Sequence, residues 1–354
     1  MCQEKINGKI LVVGGTWDEN GGKPSGLVRK FAEFLQAGTV CNGGDFRDLS
    51  KILQSVINYE IVLWWANVPN NYDKIRDVKK INPKVMSITS KRNDNEKYSF
   101  AELISRSLEQ KANLTIEFSK NDSLYNMRLF DPLGVVWYEG QDIEDCVKVM
   151  KDRLQILICI TRQPSICVGE KIQAPESDFY EYVRECADVF HNLINPAKGT
   201  TRFLGNSSFR CQSGFPSFCS SNGIFVSRRN VDKRYIDRDA FVLTYLDEKD
   251  QVSYFGEAKP SVDTPVQLRL YRLFPNINYM IHAHCYVKDG IFTKTPIPCG
   301  GVEEVNEILQ VVPDTNGTRY AINLIGHGCI IMGQTVEDLK SFTFVKRSVP
   351  EKLV

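Results

Sequence analysis

"IHAHCYVKDG" (residues 281–290) contains two of the four histidines in a chain of 354 residues. The residues around them are apolar, from Met280 and Ile281 to Tyr286 and Val287, which predicts a strand rather than a solvent-exposed loop. A strand places residues i and i+2 on one face, about 6.6 Å apart along the backbone. The spacing therefore predicts two neighbouring imidazoles on an apolar strand. Either a binding site or two unrelated core histidines would give this pattern.

The composition of the chain is that of an ordinary globular protein. It is 42% hydrophobic and 25% charged, and its length predicts about two domains. A net charge of +1 gives no overall field that would attract nucleic acid or an anionic membrane, so neither is expected as a partner. A local basic cluster, Arg228-Arg229 with Lys233-Arg234, is interpreted as a solvated loop.

The cysteines and the N-terminal segment bear on the cellular compartment. The eleven cysteines form no CxxC pair, and the N-terminus "MCQEKINGKILVV" lacks the apolar stretch of a signal peptide. No apolar run approaches the roughly 18 residues of a membrane span. A reduced, soluble, cytoplasmic protein is therefore expected.

Residues 9 to about 160 alternate strand and helix signals. The strands are "KILVVGG", "EIVLWWANV", "KVMSITS" and "LTIEFSK", and the helices are "SGLVRKFAEFLQAG", "DLSKILQSVINY" with an Asp48 N-cap, "SFAELISRSLEQKA" and "DIEDCVKVMKDRLQILI". Such alternation predicts an α/β domain with a parallel sheet covered by helices, Rossmann- or flavodoxin-like. Ligands bind such sheets beyond the carboxyl ends of the strands, which makes "GGTWDENGGKPSG" (residues 14–26) a candidate phosphate or nucleotide cradle. A flexible surface loop is the alternative.

The pattern changes around "TRQPSICVGEKIQAPESD" (residues 161–178), where prolines and polar residues show no clear periodicity. This stretch is predicted to be a linker that ends where Ser177 or Asp178 caps the helix "FYEYVRECADVFHNLI". Two domains are therefore predicted, over residues 1–165 and 176–354.

Four motifs of the second half occur in the order of a known family. They are "GTTRFLGNSSFR" (199–210), "GIFVSRRNVDKRYIDRDAFVLTYLD" (223–247), "KPSVDTPVQLRLYRLFPNINYMIHAHC" (259–285) and "INLIGHGCIIMGQTVEDL" (322–339). Together they resemble the class II aldolase and adducin family, which includes fuculose-phosphate aldolases. The resemblance covers roughly residues 176–345 and implies an α/β/α domain.

The resemblance implies a metal site on His282, His284 and His327. Three imidazoles that leave one position open are typical of catalytic zinc, although another divalent metal would also fit. The remaining histidine, His191, lies near the end of a helix and is interpreted as a surface or packing residue.

The resemblance also implies an acid–base group and an anion site. Asp263 occupies the position of the family's glutamate, one methylene shorter, and is the candidate proton carrier, with a helix N-cap as the alternative role. If Asp263 were only a cap, Glu257 or Tyr286 would be the next candidates. The predicted anion-binding residues are Asn206, Ser207, Ser227, Arg228 and Ser261.

The implied function is a zinc-dependent lyase that acts on a phosphorylated or acidic sugar-like substrate by stabilising an enediolate. A sugar-phosphate epimerase or dehydratase and a non-catalytic, adducin-like binding protein are the alternatives. The resemblance further implies a homo-oligomer, commonly a tetramer.

Overall fold

The structure is a computed structural model that describes residues 10–14, 26–37, 39–41, 43–44, 46–55, 59–66, 72–121, 124–162, 165–194, 203–211, 223–347 and 351–352. Most of the predicted cradle, residues 15–25, lies outside the described residues. The chain forms two compact units, and the boundary falls between Thr161 and Arg162, with the C-terminal strand belonging to the first unit. No helix in the described ranges is both long and apolar enough to cross a membrane.

The first unit is an eight-stranded sheet with helices between its strands. Its strands are β1 (Ile10–Gly14), β2 (Thr39–Cys41), β3 (Ile61–Trp65), β4 (Val85–Arg92), β5 (Leu114–Asn121), β6 (Leu124–Phe130), β7 (Val135–Gly140) and, from the C-terminus, β19 (Glu351–Lys352). Its helices are α1 (Gly26–Phe34), α2 (Phe46–Ser55), α3 (Asp73–Ile81), α4 (Phe100–Glu109) and α5 (Ile143–Arg162). The strand order is β19-β7-β6-β5-β4-β3-β1-β2.

The predicted α/β alternation is found, but the sheet is mixed rather than parallel. Strands β2, β1, β3, β4 and β5 run parallel, whereas β6 is antiparallel to both β5 and β7, and β19 pairs in parallel with β7. The antiparallel pair was not predicted, and neither was α3. Helix α2 begins at Phe46, so Asp48 lies within the helix and is not its N-cap. Helix α4 begins with a capping box, in which Ser99 and Glu102 exchange hydrogen bonds.

Strands β1 and β3 of the first unit are buried on both faces. All five residues of β3, "IVLWW", are buried. Ile61, Leu63 and Trp65 join one apolar cluster, and Val62 and Trp64 join another. Continuous apolar runs of this kind are typical of parallel strands covered by helices on both sides.

The second unit is built on a nine-stranded sheet in the order β15-β16-β17-β13-β9-β10-β11-β12-β8, with a two-stranded sheet of β14 and β18. Its strands are β8 (Ile166–Gly169), β9 (Asn206–Arg210), β10 (Ile224–Ser227), β11 (Phe241–Leu246), β12 (Val252–Phe255), β13 (Tyr279–Ala283), β14 (Tyr286–Val287), β15 (Ile291–Phe292), β16 (Arg319–Leu324), β17 (Gly328–Gly333) and β18 (Phe344–Val345). Its helices are α6 (Phe179–Ile194), α7 (Thr264–Leu273), α8 (Glu304–Leu309) and α9 (Val336–Lys340).

The stretch predicted as a linker contains an edge strand of this sheet. Strand β8 pairs in parallel with β12, and all four of its residues are exposed, so it carries none of the apolar periodicity that marks a buried strand. Helix α6 begins at Phe179, whose backbone N–H donates to the Ser177 Oγ at 3.2 Å, as the predicted helix start requires.

Strand β13 lies at the centre of this sheet, between β17 and β9. Ile281 and Ala283 contribute to one apolar cluster, whereas Met280 contributes to the cluster on the other face, which also contains residues of α7. Because side chains alternate along a strand, His282 lies on the same face as Met280. The fold therefore buries this histidine in the interior of the unit.

Candidate metal centre

Three histidines are brought together at one end of β13. His282 lies on β13, His284 follows the strand directly, and His327 lies in the short turn between β16 and β17. The ring centroids are 5.0 Å apart for His282 and His284, 4.5 Å for His282 and His327, and 5.1 Å for His284 and His327. One ligand atom from each of the three buried residues lies within 4.8 Å of the others, which is a spacing that one metal ion can bridge.

Two glycines allow the backbone to approach this site closely. A Cβ atom at Gly328 would lie 2.0 Å from the carbonyl oxygen of Ala283, so only glycine lets the β16–β17 turn bring His327 against β13. Gly205 has a φ of +78°, and a Cβ there would lie 2.4 Å from the carbonyl oxygen of His282. Both glycines abut the backbone that carries the histidine pair, so they fix its position from two sides.

His282 and His327 each use one ring nitrogen in a hydrogen bond, and the other ring nitrogen has no partner among the described residues. His282 Nδ1 donates to the carbonyl oxygen of Cys329 at 2.9 Å, and His327 Nδ1 donates to Glu304 Oε1 at 2.8 Å. The Nε2 atoms of both rings are buried and have no hydrogen-bond partner among the described residues. An unpaired buried polar atom costs about 1–3 kcal/mol, whereas a metal ion would satisfy both. The residues therefore fit a divalent metal bound through neutral imidazoles.

The electrostatics of the site agree with neutral imidazole at His282. Burial, followed by the charge of His327, lowers the pKa of His282 to about 4. Burial also lowers the pKa of His327, but the Glu304 carboxylate outweighs this effect and raises the pKa above its usual value. Burial raises the pKa of Glu304 itself. A buried carboxylate that orients a ligand imidazole is a common arrangement in metal sites.

Asp263 lies beside the histidines, 5% exposed, just before the first residue of α7. Its Oδ2 is 3.9 Å from His282 Nε2 and accepts a hydrogen bond from Asn206 Nδ2 at 2.8 Å. Burial by itself would raise the pKa of Asp263, but His282 and His327 outweigh it, and the pKa lies below its usual value. Asp263 occupies the N-cap position of α7, but its side chain makes no capping hydrogen bond. Its carboxylate therefore faces the imidazoles rather than the helix.

The side chain of Asn206 forms hydrogen bonds with both Asp263 and Ser261. Asn206 is paired with His282 across β9 and β13. Its amide donates to Asp263 and also to Ser261 Oγ at 3.1 Å, and its Oδ1 accepts a hydrogen bond from Gln267. Both residues are therefore part of the network that holds the Asp263 carboxylate.

The other predicted anion-binding residues lie elsewhere. Ser207 lies between Asn206 and Ser208 and points to the opposite face of the sheet. Its backbone N–H donates to Ser227 Oγ at 3.1 Å, and both serines are buried. The Arg228 side chain is exposed. The structure thus turns the Ser207 and Ser227 side chains to the face opposite His282, and among the described residues the Arg228 side chain forms no hydrogen bond with the cluster around His282.

The remaining residues singled out in the sequence are peripheral or structural. His191 is exposed on α6, which agrees with its interpretation as a surface residue. Glu257 is exposed, and the hydroxyl of Tyr286 accepts a hydrogen bond from the backbone of Gly326 at 3.2 Å.

Three residues of the site were missed in the sequence. Glu304 lies on α8 one turn before the buried Ile308, and a carboxylate on the apolar face of a helix was the signal that could have identified it. Cys299 Sγ donates to Asp263 Oδ1 at 3.1 Å. Lys233 belongs to the basic cluster interpreted as a solvated loop, but it is only 7% exposed, so that interpretation is wrong for this residue.

Lys233 places a buried cation near the carboxylate and imidazoles. Its Nζ donates to the carbonyl oxygens of Val231 at 3.3 Å and Phe203 at 3.5 Å, and it forms no ion pair within the described part of the chain. Burial lowers the pKa of Lys233 to about 8, and the charges of Asp232 and, less strongly, Asp263 oppose this shift. Phe203 is two residues before Gly205, which contacts the backbone of His282.

One family of known proteins matches part of the second unit. Residues 184–287 match the family described as Class II Aldolase and Adducin N-terminal domain. This stretch includes Asn206, Asp263, His282 and His284, and it ends before Glu304 and His327. The C-terminal region is class II aldolase-like. No curated protein matches the chain.

Several solved structures are similar to parts of the chain. An L-fuculose 1-phosphate aldolase has 15% identity and a TM-score of 0.31, covering 47% of this chain and 83% of that one. The L-fuculose 1-phosphate aldolase from Glaciozyma antarctica PI12 has 11% identity and a TM-score of 0.29, covering 46% and 70%. The DNA/pantothenate metabolism flavoprotein from Streptococcus pneumoniae has 13% identity and a TM-score of 0.31, covering 42% and 98%.

Proposed function

We propose that the second unit is a zinc-dependent lyase of the class II aldolase type that acts on a phosphorylated or acidic sugar-like substrate. The observation that carries this proposal is the pair of buried Nε2 atoms, on His282 and His327, that have no hydrogen-bond partner within the described ranges and lie beside a third imidazole. Bound at His282, His284 and His327, the metal would act as a Lewis acid that stabilises the enediolate of an aldol reaction.

The proton would be moved by Asp263. Its carboxylate is oriented by Asn206, which is in turn oriented by Gln267, so the base is held in one position before substrate arrives. The lowered pKa keeps Asp263 ionised near neutral pH, as a base requires. Ser261 contributes to the same network through its contact with Asn206.

The anionic group of the substrate would be bound by Lys233. A buried ammonium without an ion-pair partner binds an anion more strongly than an exposed one, because less solvent screens it. Lys233→Met removes the charge with little change in size, and we expect the KM for an anionic substrate to rise about 10–100-fold, since a hydrogen bond to a charged group contributes about 1.5–3 kcal/mol. Arg228→Met is the matched exposed control, and an equal rise in both variants would contradict the role of Lys233.

Metal analysis followed by a substrate screen tests the proposed function. The purified protein should contain about one equivalent of zinc, and a panel of sugar phosphates and sugar acids should yield aldol-cleavage products. Epimerase or dehydratase activity would share the enediolate, and product analysis of the same panel distinguishes it. Bound metal with no turnover on any member would instead support the adducin-like binding alternative. A protein that binds no divalent metal would overturn both the lyase and the epimerase or dehydratase.

For the first unit we propose a Rossmann- or flavodoxin-like role in ligand binding. Five parallel strands with intervening helices support it, because such sheets bind ligands beyond the carboxyl ends of their strands. We also propose that the two units are independent folding domains, which limited proteolysis near residues 163–177 would test. The homo-oligomeric state is a further proposal, and light scattering that gave a monomer of 40.3 kDa would reject it.

A further inference from the structure

A thiol lies next to the candidate metal centre. Cys299 belongs to the segment between β15 and α8, and it is partly buried. Asp263, Cys299 and His327 offer one ligand atom each within 4.8 Å of one another, and the structure thus contains a second donor group that shares His327 with the three imidazoles.

The two donor groups converge on a single ion. His327 Nδ1 is held by Glu304, so Nε2 is the one atom of this ring that can coordinate a metal. One Nε2 atom binds one metal ion at a time. The two donor groups that share His327 therefore belong to one metal centre. The buried Nε2 atoms of His282 and His327, which have no partner in the part of the chain that the structure describes, mark its position.

Sulfur is better suited than the Asp263 carboxylate to complete this centre. Asp263 Oδ2 accepts from Asn206, and Oδ1 accepts from the thiol of Cys299. Asn206 in turn is held by Gln267 and Ser261, so the carboxylate is fixed as a hydrogen-bond acceptor. A thiolate with three imidazoles is a donor set that zinc binds in closed, four-coordinate sites.

We propose that Cys299 supplies a fourth, sulfur ligand to the metal ion held by His282, His284 and His327. This inference rests on the metal site of the proposed function. The thiol must lose its proton on coordination, and the Asp263 carboxylate that already accepts the S–H hydrogen passes that proton to solvent, so Asp263 remains ionised. When a substrate displaces the sulfur, the thiolate takes up a proton from solvent and becomes a thiol again. Cys299 is therefore a displaceable ligand that closes the site in the absence of substrate.

Cobalt substitution of the full chain tests the proposal directly. A thiolate bound to Co²⁺ gives an intense charge-transfer absorption in the near ultraviolet, and histidine or carboxylate ligands do not. We expect this band in the wild-type protein loaded with Co²⁺ and its loss in Cys299→Ala, with the visible bands of bound cobalt retained. Cys299→Ser serves as a second variant, because its hydroxyl keeps a donor to Asp263 but offers no sulfur.

Cys285→Ala is the matched control. Cys285 directly follows His284, but it is fully buried in the apolar cluster on the other face of β13, so the band should persist in this variant. Zinc affinity, measured by competition with a chelator, should fall about tenfold or more in Cys299→Ala, whereas Mg²⁺ affinity should not change.

The outcomes separate this inference from the proposed function. An identical near-ultraviolet spectrum in wild type and both Cys299 variants, with cobalt bound, would overturn the sulfur ligand and leave the histidine site intact. Loss of the band in Cys285→Ala but not in Cys299→Ala would also overturn it. A wild-type protein that binds neither cobalt nor zinc would overturn the metal site and the inference together.

Discussion

Strands β3 and β13 lie inside the sheets of their units, yet they bury different kinds of groups. In β3, the side chains on both faces join apolar clusters, and the indole N–H of the fully buried Trp64 donates to the carbonyl oxygen of Gly43 at 3.0 Å. In β13, His282 is equally buried, but its Nε2 has no hydrogen-bond partner among the described residues. Trp65 Nε1 in β3 also lacks a hydrogen-bond partner among the described residues, but an indole N–H is only a donor and cannot bind a metal. The bare Nε2 of His282 can bind one, and the ligand atoms of His282, His284 and His327 lie within 4.8 Å of one another. Of the two strands, β13 is therefore the one whose unpaired nitrogen fits a metal ion.

Of the substitutions that test the difference between β3 and β13, removal of a ligand imidazole should have the largest effect. His284→Ala removes one of three protein donors, so we expect the protein to lose its bound zinc and its turnover while remaining folded. Elemental analysis after dialysis and circular dichroism would measure both. His191→Ala, on an exposed position of α6, is the control that should retain a full equivalent of metal. Full metal content in His284→Ala would mean that His284 is not a metal ligand, and the proposed metal site at the end of β13 would be contradicted.

A substitution in β3 should affect stability instead of chemistry. Trp64→Ala leaves a cavity in the first unit, and such changes cost about 3–5 kcal/mol of unfolding free energy. We expect a lower midpoint for the unfolding transition of the first unit with unchanged zinc content. Ile81→Ala, at a residue that is 86% exposed, should change neither quantity. Zinc loss in Trp64→Ala would show that the two units are coupled.

The same contrast explains what the sequence could predict. The apolar runs of β1 and β3 and the spacing of His282 and His284 are local patterns, and they predicted buried strands and an imidazole pair. Helix α3 was missed because its sequence, "DKIRDVKKI", is dominated by charged residues and has only Ile75 buried. The β6–β7 pair was missed because "LYNMRLF" alternates only partly.

The contacts made by the missed site residues depend on tertiary structure. Glu304 contacts His327 across 23 residues of sequence, and Cys299 contacts Asp263 across 36. Lys233 resembles a surface lysine in sequence, because nothing local reveals that its Nζ donates to the carbonyl oxygen of Phe203, 30 residues earlier in the chain. Residues that orient or complete a site are thus harder to predict than the ligands themselves.

Asp263→Asn separates proton transfer from coordination at the site. Asparagine has nearly the same size and can still accept the hydrogen bond from Asn206, so fold and metal content should be retained. It cannot act as a base, and turnover should fall about 10²-fold or more. Glu257→Gln, at an exposed carboxylate, is the matched control. Full turnover of Asp263→Asn on an identified substrate would mean that another group moves the proton.

Glu304→Gln should have the smallest effect, and it tests whether the buried carboxylate orients His327 so that its Nε2 can bind the metal. Glu304 accepts the Nδ1 hydrogen of His327, which directs Nε2 toward the centre of the site. Glutamine can still accept this hydrogen through its amide oxygen, but a bond to a neutral acceptor is about half as strong as one to a carboxylate. The imidazole becomes a weaker donor, so zinc affinity should fall about tenfold, and about 100-fold in Glu304→Ala, where the acceptor is lost.

Competition with a chelator would measure these affinities, with Glu307→Gln as the control on the same helix. Glu307 accepts a hydrogen bond from the backbone of Thr295 at 2.9 Å, and its substitution should leave zinc affinity unchanged. If Glu304→Gln and Glu304→Ala both bound zinc as the wild type does, Glu304 would be a packing residue despite its contact. A stepwise loss of zinc affinity, small in Glu304→Gln and larger in Glu304→Ala, would instead mean that the buried carboxylate orients His327 as a metal ligand.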